Sequence, residues 1–464
     1  MFVHNCERIT NRLPSPLVGT LPQEDFGERS DGYAHKVRGA GNGLITVKIQ
    51  KEQFQNQCIY SDTGDSMGEK RIIYMDHAAT TYTKKEVVDA MIPYFTEHFG
   101  NPSSIYSIAR ESKMAIDTAR AQVAKALGAE PEEIYFTSGG SESDNWAIKG
   151  VAFANRKRGN HIITTQIEHH AVLHTCQFLE KEGFELTYLP VDQYGLVDPT
   201  VLEKAITEKT ILVSIMYANN EIGTIEPIAE LGAIARKHKV YFHTDAVQAI
   251  GNVPINVKAQ NIDLLSLSVH KFYGPKGVGA LYIKKGVRIE NLIHGGAQER
   301  KRRAGTENIA SIVGLGKAIE LATADIPGHN AKIRVMRDRL LKGVLKNIHH
   351  SRLNGHPEKR LPGNFNVSFE FIEGESMLLW LDDEGICGST GSACTSGSLE
   401  PSHVLLATGL SPEVAHGSLR LTLGDVNTEQ DIDTVLEVLP KVVSRLRDMS
   451  PLYQKTVKGG GCNV

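Results

Sequence analysis

Asp263-Leu264-Leu265-Ser266-Leu267-Ser268-Val269-His270-Lys271 is the stretch on which the reading of this chain turns. Its apolar run reads as a buried strand that delivers a lysine, flanked by a hydroxyl and an imidazole, into a glycine-rich turn, Gly274-Pro275-Lys276-Gly277-Val278-Gly279. A second strand, Ala280-Leu281-Tyr282-Ile283, follows at once. A lysine desolvated there among small polar groups suits Schiff-base chemistry with pyridoxal phosphate. Alone the motif does not carry that conclusion, because most lysines that follow strands are solvated loop residues.

Outward from this stretch, strands and helices alternate. The pattern predicts a strand over 71–75, helix over 112–127, strand 134–136 and helix 143–155. Strand 162–165 follows, a helix begins after Ala171, and strand 211–216, helix 228–237 and strand 240–243 complete the series. Such alternation implies a mostly parallel sheet covered by helices on both faces, with ligands gathered beyond the carboxyl ends of the strands. Past residue 332 a long helix (333–348), further apolar strands and a final helix (432–449) predict a second, smaller α/β domain. The expected organisation is a large domain over 81–330, a small domain built from 71–80 and 331–455, and a flexible tail over 456–464.

Residues 1–70 differ from the rest, with no sustained period and few apolar clusters. They lack a signal-peptide core, and Glu7, Glu24, Asp25 and Glu28 argue against a transit peptide. The expectation is either a disordered extension or a start codon placed too early, with Met67 as the native start. With 464 residues, 41% hydrophobic and 23% charged, the chain as a whole has the composition of an ordinary globular protein. A net charge of −3 gives no reason to expect nucleic acid, and no apolar stretch approaches membrane-spanning length. Six cysteines (Cys6, Cys58, Cys176, Cys387, Cys394, Cys462) are too sparse for a disulfide scaffold and fit no zinc spacing, so a reducing cytoplasm and no bound metal are expected.

Several segments carry polar chemistry to strand ends. Thr137-Ser138-Gly139-Gly140-Ser141-Glu142-Ser143-Asp144-Asn145 joins a strand to a helix and offers glycines, hydroxyls and a helix N-terminus to an anion, although an ordinary capped helix start has the same composition. Asp245 is expected at the end of its strand, where a carboxylate can pair with a protonated pyridine nitrogen or simply cap the next helix. Asn219-Asn220-Glu221-Ile222-Gly223 can present an amide, and Glu168-His169-His170 an imidazole able to stack on a planar ring and move protons. Gly388-Ser389-Thr390-Gly391-Ser392-Ala393-Cys394-Thr395-Ser396-Gly397-Ser398 surrounds one cysteine with small residues and leads into a helix start near Leu399–Leu405; it reads as a loop with an accessible thiol. Cys387 is expected in the core and Cys462 in the tail.

These segments, in this order, resemble the cysteine desulfurases of the NifS/IscS class, within the aspartate-aminotransferase-like fold of pyridoxal phosphate enzymes. The resemblance runs over 71–453. It rests on Tyr74-Met75-Asp76-His77-Ala78-Ala79-Thr80-Thr81, Gly100-Asn101-Pro102-Ser103-Ser104, the segments at Thr137, Asn219 and Ser268, and His243-Thr244-Asp245-Ala246. Arg303-Ala304-Gly305-Thr306, Gly391-Ser392-Ala393-Cys394 and Ser418-Leu419-Arg420 extend it.

The resemblance implies the following roles. Lys271 holds the cofactor and moves protons, His169 stacks on its ring and serves as acid and base, Asp245 keeps the ring nitrogen protonated, and Asn220 and Gln248 address the phenolic oxygen. Gly140, Ser141, Ser268 and His270 hold the phosphate, with Thr306 reaching it from a partner subunit of a homodimer. Arg420 binds the substrate carboxylate, and Cys394 is the nucleophile that keeps the sulfur of L-cysteine as a persulfide. A sulfur-acceptor protein such as an iron–sulfur cluster scaffold is the implied partner, with transient cluster ligation by Cys394 among the implied roles.

Three positions depart from the commoner family pattern: Gly140-Ser141, where the hydroxyl is kept, Tyr106, which bears on the substrate side, and Ala109; neither Tyr106 nor Ala109 touches the core chemistry. A selenocysteine lyase and a class V aminotransferase share the fold; the latter would have no use for Cys394. A scaffold that has lost catalysis would lack Lys271 or Cys394, and both are present.

Overall fold

In the computed structural model, the described residues are 36–38, 44–46, 71–390 and 400–458. The chain divides into Met1–Glu69 and Lys70–Val464. In the first unit the described residues form two short antiparallel strands, Lys36–Arg38 and Leu44–Thr46. The expected disorder and the alternative start at Met67 otherwise lie outside the described residues, as do Cys6, Cys58, Cys394 and Cys462.

The second unit opens with β1 (Ile73–Tyr74) and helix α1 (Ser107–Leu127). It continues through β2 (Ile134–Thr137), α2 (Gly140–Asn155), β3 (His161–Thr165), α3 (His170–Lys181) and β4 (Glu185–Leu189). Then come β5 (Thr210–Ser214), α4 (Ile228–Lys237), β6 (Tyr241–Asp245), β7 (Leu264–Ser268) and, after a single 3₁₀ turn Val269–Lys271, β8 (Gly279–Ile283). These strands form one seven-stranded sheet in the order β2-β8-β7-β6-β5-β3-β4. Only β8 runs against its neighbours; β7, β6, β5, β3 and β4 are parallel.

The strand sequences explain the layers. Every residue of β3, β5, β7 and β8 is buried, as expected of strands covered on both faces. Side chains alternate across the sheet: Ile162, Leu212, Leu264 and Leu281 pack against Trp146 and Ile148 of α2 and Val172 and Leu179 of α3. Ile163, Val213, Leu265 and Tyr282 share the opposite core with Ile116 and Val123 of α1 and with Leu315 of α5 (Ile309–Thr323). Each such side chain contributes about 1.5–3 kcal/mol of hydrophobic stabilisation.

A separate core forms around a three-stranded antiparallel sheet, β9 (Ser351–Leu353), β10 (Asn364–Phe369) and β12 (Ser418–Thr422). Phe365, Phe369, Leu419 and Leu421 meet Leu340 of α6 (Ile326–Asn347), Met377 of α7 (Gly374–Asp383) and Val435 of α9 (Glu429–Met449). Beside it β11 (Ile386–Cys387) pairs in parallel with β1, so the start of the second unit is tied to this core. Helix α8 (His403–Ala407) lies between β11 and β12 in the chain.

Several helices begin earlier than their apolar periodicity indicated. α1 starts at Ser107, α2 at Gly140 and α6 at Ile326, because first turns are set by caps and backbone geometry and their side chains need not face a core. Asp325, for instance, caps α6 by accepting from Gly328 N. Cys387 corrects the sequence expectation: it sits in β11 with intermediate exposure and is not a core residue, since the two-stranded β11–β1 pair has no third strand over it. Among the described residues no helix is long and apolar enough to cross a membrane.

Candidate active site

The four adjacent parallel strands β7, β6, β5 and β3 deliver four chemical groups to one edge of the sheet. Beyond β7 the 3₁₀ turn presents Lys271, β6 ends on Asp245, the turn after β5 carries Asn220, and the turn after β3 carries His169 at the N-cap of α3. β2 points the same way and places Gly140 and Ser141 in the first turn of α2. A cavity of about 390 Å³ opens at this edge. Gly140, Ser141, His169, Asn220, Asp245, Gln248, Ser268, His270, Lys271 and Arg420 all line it.

Lys271 Nζ donates to the carbonyl oxygens of Ala78 (2.6 Å) and Ala79 (2.7 Å), and Gln248 Nε2 also donates to the Ala78 carbonyl (3.0 Å). The segment after β1 is thereby the wall against which the lysine rests. On the far side of that wall lies a second cavity of about 390 Å³, lined by His77, Lys84 and Tyr273 among others. It shares only Ala78, Gln248 and Lys271 with the first, so the chemistry is assigned to the first.

Electrostatics separate the roles of the lining groups. Burial pushes the Asp245 carboxyl up to about 6, opposed by the Val247 N–H it accepts at 2.9 Å and by the charge of Lys271. A cation beside Asp245 would restore its ionised form. Burial, helped by Lys271, pushes His169 down to about 4, so the imidazole is neutral near pH 7; its Nδ1 accepts from Ala171 N. His270 is likewise pushed down to about 4 by burial, and its Nδ1 lies 3.1 Å from the Thr80 hydroxyl. Arg420 donates from NH2 to Asp76 Oδ1 (2.9 Å) and from NH1 to the Asn220 carbonyl (3.0 Å), while its buried Nε meets no protein partner.

The residues present fit a phosphorylated, protonated pyridine. Gly140 opens α2 where an added Cβ would come within 2.8 Å of Val247 Cγ2 and 3.6 Å of Ser268 Cβ, and the N-terminus of such a helix offers backbone N–H groups to an anion. Asp144 Oδ1, buried in the cavity wall, has no hydrogen-bond partner, and neither has Arg420 Nε.

Two expected site residues are not brought to the cavity. Thr306 is exposed in the loop before α5 and does not line it. Cys394 lies outside the described residues. Two further groups belong to the site although the sequence assigned them no role: Asp76, paired with Arg420, and Asp144. Both stand inside quoted motifs, so the signal was present, but the partner of Asp76 is 344 residues away in the chain.

The aminotransferase class-V family model matches residues 73–435. Cysteine desulfurase IscS of Methanosarcina thermophila is 65% identical over 398 residues, covering 86% of this chain and 98% of that protein. Cysteine desulfurase IscS of Dictyoglomus turgidum is 57% identical over 386 residues, covering 83% and 98%. Among solved structures, a NifS-like protein superposes with a TM-score of 0.77 at 40% identity, covering 81% of this chain and all of that one. SspA in complex with cysteine gives 0.68 at 39% identity, covering 77% and 100%.

Proposed function

The chain belongs to the class-V aminotransferase family, among its cysteine desulfurases, and from that membership we propose how its own residues carry the reaction. The protein converts L-cysteine to L-alanine and supplies the sulfur for iron–sulfur cluster assembly. The observation that carries the residue assignments is a single cavity at the strand ends lined by Lys271, Asp245, His169 and Arg420.

Pyridoxal phosphate is the cofactor the cavity suits. Gly140, Ser141, Ser268 and His270 would hold its phosphate, Asp245 its ring nitrogen, Asn220 and Gln248 its phenolic oxygen, His169 one face of its ring, and Lys271 its carbonyl carbon. When bound, it supplies an electron sink for the substrate's Cα. Arg420 binds the carboxylate of L-cysteine and is kept in place for it by Asp76 and the Asn220 carbonyl. Lys271 takes the proton from Cα and returns one to the product, and His169, neutral at rest, can accept a proton, becoming imidazolium, and give it back. Cys394, as thiolate, attacks the substrate sulfur. The new S–S bond leaves a persulfide on Cys394, the Cβ–S bond breaks, and its electron pair, once protonated, becomes the methyl group of L-alanine.

A homodimer in the cytoplasm, handing sulfur to a cluster scaffold, completes the proposal. The exposed position of Thr306, away from the cavity of its own chain, supports a role across a subunit boundary. Visible absorbance of the purified protein before and after L-cysteine, with alanine and sulfide quantified under reductant, tests the reading. Cys394→Ala is expected to keep the cofactor band and to lose alanine and sulfide together. Full turnover in that variant would remove Cys394 from its role, and absence of a cofactor band in the parent protein would undo the site assignments.

A further inference from the structure

The chain on either side of the Cys394 segment is joined to the site at both ends. On the entry side, Ser389 and Arg420 exchange backbone hydrogen bonds, Ser389 N donating at 3.0 Å and Arg420 N at 2.6 Å. The nucleophile's segment therefore leaves from a residue paired through its backbone with Arg420, the residue assigned to the substrate carboxylate.

The exit side is more elaborate. The Ser402 hydroxyl donates to Glu221 Oε2, and the next residue, His403, donates from Nε2 to the backbone carbonyl of Glu168 at 3.0 Å. Glu221 follows Asn220, and Glu168 precedes His169. Both pins thus end one residue from a group assigned to the cofactor ring. Glu221 is itself fixed: its N–H donates to Asn219 Oδ1 (2.8 Å), and its carbonyl accepts from Asn364 (2.9 Å) and Asn366 (3.0 Å) of β10. Asn219 ties the two turns together by donating to the Ile167 carbonyl (2.9 Å). Apolar packing repeats the pattern, since Val404 and Leu405 of α8 share a small buried core with Ile167, Met216 and Ile222 from those same turns.

A helix start that merely needed a cap would require Ser402 alone, whose oxygen accepts from Leu405 N at 3.2 Å. The contacts to Glu221 and Glu168 exceed that need. We propose that Glu221, Ser402 and His403 are positioning residues that hold the exit of the nucleophile's segment in register with the turns bearing Asn220 and His169, so that the thiol meets the substrate sulfur in a reactive geometry. The proposal rests on Cys394 being the nucleophile. Burial pushes the Glu221 carboxyl up to about 7, so glutamine reproduces its neutral shape.

The test compares Glu221→Leu and His403→Leu with Glu221→Gln and His403→Gln in the cofactor-loaded protein. The glutamines retain an acceptor for Ser402 and an N–H within reach of the Glu168 carbonyl. Persulfide on Cys394 is followed by mass spectrometry in a single turnover, beside the cofactor band and the L-cysteine concentration giving half-maximal rate. The leucine variants are expected to form persulfide about a hundredfold more slowly, the scale on which a misplacement of about 1 Å acts. Their cofactor band and half-maximal concentration should stay within about twofold of the parent, and the glutamines should recover most of the rate. Leucine variants at the parent rate would overturn the proposal. So would a joint loss of cofactor band, substrate affinity and rate that glutamine does not rescue, because that is general structural damage. Half-buried His403 keeps the test alive should Glu221→Leu fail to fold. A parent protein that forms no persulfide on Cys394 would instead refute the nucleophile assignment on which the proposal stands.

Discussion

At the scale of the residue, the site is governed by how strongly burial resists charge. Asp245, pushed up to about 6, is the clearest case: the folded protein leaves a carboxyl poised between its two forms until a cation arrives. Asp245→Asn keeps the shape and removes the anion, so a ring nitrogen beside it would no longer be held protonated. The variant is expected to retain cofactor while kcat falls by about 10²–10⁴, the range over which positioned acid–base groups act. Steady-state rates together with the cofactor spectrum check this, and an unchanged kcat would remove Asp245 from the ring nitrogen. Most of these residues were legible in the chain itself, because strand-terminal Lys271, Asp245 and His169 follow short apolar runs. Asp76 was not, since its significance lies in a contact with Arg420 that only folding creates.

At the scale of the element, an ion pair buried behind β2 holds the sheet edge. Arg120 of α1 meets Glu299 in a two-pronged arrangement at 2.8 and 2.7 Å, with side chains 6% and 3% exposed. Glu299 Oε2 also accepts from Phe136 N (3.0 Å), and Arg120 donates to the Ile134 carbonyl (2.7 Å). Removing one partner strands the other charge away from water. Glu299→Ala is therefore expected to destabilise the fold by about 3–5 kcal/mol, measured by denaturant unfolding. The double change Glu299→Leu with Arg120→Met should recover much of that loss, and a single variant within about 0.5 kcal/mol of the parent would contradict the argument. Nothing in the local sequence advertised this pair. Periodicity recovers α4 at its observed bounds but starts α1 five residues late, because Ala109 alone is buried in its first turn and one small residue sets no period.

For the whole molecule, the buried titratable groups divide into two populations that pull stability in opposite directions. Burial pushes His77, His169 and His270 down to about 4, whereas an unfolded chain protonates histidine near 6.5. Their contribution is complete above about pH 6.5 and is lost as pH falls through about 4. Burial pushes Glu168 and Glu226 up to about 8 against 4.5 unfolded. Their contribution is complete below about pH 4.5 and is lost as pH rises through about 8. With three such histidines against two such glutamates, the Tm of the cofactor-free protein should peak at about pH 6.5 and decline toward pH 8. Scanning calorimetry across that range checks it, and a Tm still rising from pH 6.5 to 8 would show the sign to be wrong. The alternating order of strands and helices, and hence the large sheet, was readable from sequence. The interleaving of β1 with β11, across more than 300 residues, was not.

The short spacing between Ser389 and Cys394 also sets a geography for delivery. Cys394 stands five positions beyond Ser389 in the chain (394 − 389). A polypeptide spans at most about 3.3–3.6 Å per residue, so the backbone of Cys394, the proposed sulfur carrier, lies within roughly 18 Å of that anchor. The cargo is on a leash. On the proposed role of Cys394, an acceptor would have to bring its reactive group to within a side chain's length of that small sphere, so the rim around the cavity becomes the surface it has to fit.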